Sequence, residues 1–300
     1  MAHRLKNWTE LISAQLGVAA PCAAQTGLEG TGIYVSSTLV LPLTAAQTDH
    51  AGCYNYAQGG ARVTAPYGPG NRNLGGSNVV LGQLTVPVQQ QIANHLSAAG
   101  SFSSRDLVTV MAGGNDIFIN AGLVSASAIS PTDAVTNMAT AGAELASYVR
   151  TQIVANGATH VVVANLVDVS KSPYVYAISD ATLRAQTAAL IQQMVMAFNQ
   201  QLAAGLSTTN GVLLVDTYTA SQEQAANPTK FGLSNATEPA CVVNDTSVNP
   251  LSSSLVCNSA SVVGGDISTY LFADTVHPTP YGYKLLAQLI AQKLVARGWL

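Results

Sequence analysis

Charge is what this sequence has least of: 9% of its 300 residues are charged, 12 Lys and Arg against 15 Asp and Glu. So few cations make no basic stripe, which excludes the electrostatic footprint of a nucleic-acid partner. No run of about 18 apolar residues occurs, so nothing in the sequence reads as a transmembrane segment. Cys-x-x-Cys spacings and Cys/His clusters are absent, and with them the pattern of a zinc-type metal site. There is no Gly-x-Gly-x-x-Gly after the first strand and no Gly-Lys-Ser/Thr loop, which sets aside a nucleotide-binding α/β protein. Met1 to Lys6 runs directly into Asn-Trp-Thr-Glu, without the apolar core of an export signal.

What is present is mostly apolar. Hydrophobic residues make up 48% of the chain, far from a disordered composition. The length suffices for one large α/β domain with a sizeable core, and no repeat or linker interrupts it, so one domain over 1–300 is expected. Four cysteines, Cys22, Cys53, Cys241 and Cys257, permit three pairings that sequence does not choose between. Local pairing, Cys22 with Cys53 and Cys241 with Cys257, is the simplest, since each loop is short and rich in Gly, Ser and Asn. Four separate buried thiols are the plain alternative. Disulfides imply an oxidising compartment, extracellular or periplasmic. Exported character without an export signal predicts that the natural chain starts upstream of Met1.

Periodicity sets out alternating elements. Trp8, Leu11, Ile12 and Leu16 have helical spacing. Short strands are expected near Tyr34 to Leu41 and over 53–58, with a Gly/Pro/Asn-rich loop over 61–80. Pro87 opens a helix to about Ala98, stopped by Gly100. Leu107 to Ala112, His160 to Leu166 and Val212 to Val215 read as buried parallel strands. Ser130 caps a helix that Gly157 ends, with Val135, Met138, Leu145, Val149 and Ile153 on one face. A long helix from about Asp180 to Leu206 carries Leu183, Leu190, Met194, Phe198 and Leu202 as its stripe. Residues 228–270 lack periodicity and read as a surface excursion stapled by the second cysteine pair. Thr279 caps a last helix, with Pro280 at its first position and Gly298 after its end. Strands alternating with helices indicate a doubly wound, mostly parallel sheet, with ligands beyond the carboxyl ends of its strands.

Three runs carry chemistry. In Phe272-Ala-Asp-Thr-Val-His-Pro-Thr-Pro-Tyr281, His277 stands three residues after Asp274, and prolines at 278 and 280 restrict the backbone. A carboxylate beside an imidazole is what acyl transfer asks of a general base and its orienter. Gly113-Gly-Asn-Asp116 directly follows a buried strand, where Asn115 can aim an amide N–H at a developing oxyanion. In Asn55-Tyr-Ala-Gln-Gly-Gly-Ala-Arg62, Gly60 permits close approach and leaves its N–H free to donate. Each glycine run taken alone also reads as an ordinary turn. His3, His50, His95 and His160 have no such company and read as structural.

Together these runs, in this order, resemble the second, third and fifth conserved blocks of the SGNH, or GDSL-type, hydrolases, above all the secreted bacterial esterase and phospholipase/lecithinase branch. The resemblance spans residues 6–300. It implies a flavodoxin-like three-layer α/β/α sandwich that hydrolyses carboxylic esters, small or lipid-like, with no metal or organic cofactor. Residue by residue, it implies that Gly60 and Asn115 are oxyanion donors, His277 the general base and Asp274 its orienter.

One block is missing. The family's first block, Gly-Asp-Ser-Leu or close to it, supplies the nucleophile at the end of the first strand, and it is absent. Asn7-Trp-Thr-Glu-Leu resembles the helix that follows that block. Ser36, Ser37 and Ser77 do not follow a buried strand into a helix, as a nucleophile elbow requires, and Gly264-Gly-Asp-Ile-Ser268 has isoleucine where the serine should stand. The expectation is therefore a serine esterase whose first strand and nucleophile lie upstream of Asn7, so that these 300 residues alone hydrolyse little ester. The alternative is a pseudo-enzyme that binds acyl esters or acetylated glycans without cleaving them. Binding alone does not require a base, which weighs against it.

Overall fold

The computed structural model describes residues 6–35 and 40–300, without the side chains of 32–43. Helix α1 (Trp8–Gln15) leads to a hairpin of β1 (Gln25–Val35) and β2 (Val40–Asp49). The one-turn α2 (Asn78–Leu81), α3 (Val88–Ala99), β3 (Leu107–Met111), α4 (Gly114–Ser125) and α5 (Pro131–Tyr148) follow. Then come β4 (His160–Ala164), the short α6 (Pro173–Tyr176), α7 (Ala181–Leu206), β5 (Val212–Val215) and α8 (Thr217–Ala226). The last elements are β6 (Asn235–Pro239), β7 (Tyr270–Phe272) and α9 (Pro280–Arg297).

The helix ends follow the local chemistry. Asn7 accepts from the N–H groups of Thr9 and Glu10, Ser130 forms a reciprocal box with Asp133, and Asp180 and Thr279 cap α7 and α9. Pro87 precedes α3, whose Gly100 stop was expected. After α5 the chain continues through a wider turn, Val149–Ile153, and a tight one, Val154–Asn156, before Gly157 breaks it at φ +107°.

Strands β3, β4 and β5 form a parallel sheet in that order, with Val108 opposite Val161 and Val161 opposite Val212. Alternation along β4 divides the core. Val161 and Val163 pack with Ile117, Met138, Leu145, Met194, Phe198 and Leu202 on one face, while Val162 meets Trp8, Ile12, Ile290 and Leu294 on the other. Helices thus cover both faces, giving the expected three-layer α/β/α arrangement. Both disulfides join the local pairs, Cys22–Cys53 and Cys241–Cys257.

Three local expectations differ. Residues 53–58 are not a strand: Asn55 makes one isolated bridge, to Ala23, because the Gly59-Gly60 turn follows at once. The strand expected from Tyr34 to Leu41 lies partly on 36–39, outside the described residues, and the residues flanking it end the two arms of a hairpin that reads from sequence largely as loop. Leu183, in the first turn of α7, is 54% exposed, and Ile191 and Val195 complete the buried stripe in its place. Among the described residues β3 pairs only with β4, so its other edge is free of strand partners.

Candidate active site

The turn between β7 and α9 folds around one side chain. Asp274 Oδ1 accepts the backbone N–H groups of Val276 (3.0 Å) and His277 (2.8 Å), which closes a local turn of the kind Asp favours. The N–H of Ala273 donates to the His277 carbonyl at 2.7 Å, and that of Thr279 to the Leu271 carbonyl at 2.9 Å. Pro278 keeps His277 extended, while Thr279 accepts from the N–H of Gly282 and starts α9. The histidine therefore sits on a short span pinned at both ends.

Within that turn the imidazole Nδ1 lies 2.8 Å from Asp274 Oδ2 and 3.0 Å from Oδ1. Asp274 is buried, at 2% exposure, and Oδ2 also accepts the backbone N–H of Ser254 at 2.7 Å. Among the described residues no hydrogen bond engages the other ring nitrogen, and the His277 side chain is 54% exposed.

This geometry sets the ionisation. Burial pushes the Asp274 carboxyl up, but the His277 hydrogen bond and charge, with the N–H donors of Val276 and His277, hold it well below the usual carboxylate range. The hydrogen bond to Asp274 raises His277 above an ordinary histidine, against the opposing effect of burial. Burial, and then the charge of Asp274, raises the nearby Tyr283 phenol.

Because the folded histidine binds its proton more tightly, the pair's contribution to stability is complete below the ordinary histidine value of 6.5. It is lost as pH rises through the folded value. Urea titrations of the wild type and of His277→Asn at pH 5 and pH 9 should therefore show a stability gap that narrows at pH 9. An equal gap at both pH values would contradict the ion pair.

The oxyanion candidates lie on the Gly60 loop and in the first turn of α4. Gly60 has φ +75°, and a Cβ there would stand 2.2 Å from the Pro69 carbonyl oxygen, so only glycine fits. Gly113 turns β3 into α4 at φ +105°, with the Phe198 ring where a Cβ would be, and this puts Asn115 in the first turn of α4. The sequence suggested a turn here but not the helix that follows it. One N–H of the Asn115 amide donates to the Ala61 carbonyl at 2.7 Å, which fixes the amide beside the Gly60 loop and leaves its second N–H.

Beneath them lies an ion pair that the motifs did not suggest. Arg62 Nε donates to Asp116 Oδ1 at 2.9 Å, and the Val63 N–H to Oδ2 at 3.1 Å. Burial raises Asp116, opposed by the Arg62 charge and these hydrogen bonds. In a chain so poor in charge, an Arg and an Asp each beside a glycine turn was the available signal. Ser254 left no signal in sequence.

Gly60, Asn115 and His277 all line one cleft of about 1700 Å³, and so do Lys6, Asn7 and Glu10 at the start of α1. Ser77 lines it too, but ahead of the one-turn α2 and after the glycine turn at Gly75 and Gly76. Ser36 and Ser37 lie outside the described residues. No described serine side chain bonds His277. Among the described residues no helix is long and apolar enough to cross a membrane.

These features define a class of protein: a parallel α/β fold with a histidine–carboxylate pair and amide N–H groups around one cleft, beyond the carboxyl end of β3. A model of the GDSL-like lipase/acylhydrolase family matches residues 8–290, and the chain belongs to that family. Two GDSL esterase/lipases of Arabidopsis thaliana are similar over part of their length. One is 29% identical over 109 residues, which is 34% of this chain and 28% of the relative. The other is 33% identical over 98 residues, 32% and 26% respectively. The matched region thus spans little more than a quarter of either relative.

Proposed function

We propose that the protein hydrolyses carboxylic esters by a Ser-His-Asp mechanism, within one catalytic domain. His277 is the general base and Asp274 its orienter, and the N–H of Gly60 and the Asn115 amide are the oxyanion donors. The serine belongs to a segment preceding Asn7, where the start of α1 meets the cleft. Its Oγ attacks the ester carbonyl as His277 Nε2 takes the hydroxyl proton, and the carbonyl oxygen gains its charge facing the two donors. His277 then returns the proton to the leaving alcohol, and a water, activated by the same base, releases the acid.

The observation that carries this reading is the convergence of Gly60, Asn115 and His277, from three separate parts of the sequence, on one cleft. Family membership supports ester hydrolysis as the reaction class. The two disulfides support an extracellular or periplasmic setting. The cleft's sparse charge suits small or lipid-like uncharged esters.

The test compares two polypeptides on short-chain p-nitrophenyl esters. Residues 1–300 alone are expected to show no turnover above background. The same residues preceded by a strand ending in Gly-Asp-Ser-Leu are expected to turn over and to label with a fluorophosphonate. Turnover by residues 1–300 that depends on His277 would refute the upstream serine. A folded extended polypeptide that neither labels nor hydrolyses would refute the ester hydrolase itself.

A further inference from the structure

We propose that the loop closed by the Cys241–Cys257 disulfide is a positioning element for the Asp274–His277 pair, acting through the backbone N–H of Ser254. The proposal rests on the reading of Asp274 as orienter and adds to it a part of the chain outside the motifs.

The two oxygens of Asp274 are served differently. Oδ1 takes both backbone donors of its own turn, from Val276 and His277. Oδ2, at 2.8 Å from the imidazole Nδ1, takes its backbone donor from Ser254, twenty positions earlier, at 2.7 Å. That bond fixes the carboxylate plane against the ring from the side its own turn does not reach. It also satisfies an oxygen of a carboxylate that is almost wholly buried, where a missing donor is expensive.

The loop is anchored to hold that donor. Its first cysteine, Cys241, donates its own N–H to the Ala273 carbonyl at 2.8 Å, immediately before Asp274. Its last, Cys257, lies three positions beyond Ser254 and is joined to Cys241 through sulfur. Between them Ser254–Val256 form a tight turn capped by Ser253, whose own N–H donates to the side chain of the buried Asn249 at 3.3 Å. Val256 is buried while Leu255 faces out, so the turn covers Asp274 with its inner side. Covalent closure keeps the Ser254 N–H within reach of Oδ2.

Few other ionisable groups bear on the pair. Tyr283 on α9 lies within reach of the Asp274 charge, Lys6 and Glu10 stand elsewhere along the cleft, and Asp245 in the loop is exposed and bonded to Ser247.

The test reads the His277 ring directly, by nitrogen and proton NMR through a pH titration of the full 300-residue chain. It succeeds or fails whether or not any ester is hydrolysed. In Cys241→Ser/Cys257→Ser the loop is untied and water reaches Asp274. The His277 midpoint is then expected to fall by about half a pH unit or more, while His160 stays in place. An unchanged midpoint in the folded variant overturns the proposal.

If that variant does not fold, Ser254→Pro keeps the disulfide and removes only the N–H. Ser253 is extended at φ −139° and ψ 152°, as a residue before proline should be, and Ser254 opens its turn where proline fits. Oδ2 then loses the donor that fixes the carboxylate plane against the ring, so the midpoint is expected to fall here too. Ser254→Ala, which keeps the N–H, should match the wild type. Equal midpoints for Ser254→Pro and the wild type overturn the proposal as well.

Discussion

In the polypeptide that carries the serine-bearing segment, His277→Asn is expected to lower kcat/KM for a p-nitrophenyl ester by about 10⁴-fold or more, as loss of the base does in serine hydrolases. The fall should lie in kcat, because in the proposed mechanism the imidazole moves a proton in the transition state and adds little to ground-state binding. Asn keeps an amide near the position of Nδ1 and can still meet Asp274, and the side chain it replaces is half exposed, so folding should be retained. Asp274→Asn should cost less, since an unoriented histidine still accepts a proton. It leaves the wrong ring nitrogen protonated rather than removing the base. Retention of more than a tenth of wild-type kcat/KM in folded His277→Asn would remove this residue from the mechanism.

The largest stability effect is expected at Asp116. Its carboxylate is buried at 2% exposure, and it is held by Arg62 at 2.9 Å and the Val63 N–H at 3.1 Å. Asp116→Ala leaves a mostly buried guanidinium and a buried N–H without their acceptor, a change that typically costs about 3–5 kcal/mol. Chemical denaturation of the 300-residue chain measures this directly. Arg62→Ala in the same background should recover part of the loss, because the unpaired cation is then gone and the two substitutions are not additive. A folded Asp116→Ala protein within about 1 kcal/mol of the wild type would show that the pair is not a strut. The same change should weaken the proposed oxyanion donors, since Arg62 lies two residues from Gly60 and Asp116 is next to Asn115. In the serine-bearing polypeptide that loss would appear in kcat before KM.

Much of the fold was legible because its signals are local. The buried parallel strands read as apolar runs, since a strand covered on both faces needs no alternation. Ser130 and Thr279 announced their helices because a cap is satisfied within three residues. The pairing of β1 with β2 was not legible: both strands are rich in Gly, Thr and Ala, and their register is decided between the strands rather than within either. Residues 53–58 read as a short strand running into paired glycines, yet only one isolated bridge, from Asn55 to Ala23, forms there.

The site divides the same way. Asp274 and His277 could be named from sequence because three residues and a proline already bring carboxylate and ring together; a turn that closes on itself is encoded where it stands. Gly60 and Asn115 were candidates by residue type, but only the folded chain brings the Asn115 amide against the Ala61 carbonyl. The ion pair of Arg62 with Asp116 and the donation from Ser254 to Asp274 span 54 and 20 positions; the first left only the hint of two charges beside glycine turns, and the second left none. Sequence by itself determined the α/β alternation and the histidine–carboxylate turn, because short-range sterics and hydrogen bonds suffice for both. Tertiary structure alone decided which loops support that turn, because burial creates the need for a distant donor only once the chain has closed over the carboxylate.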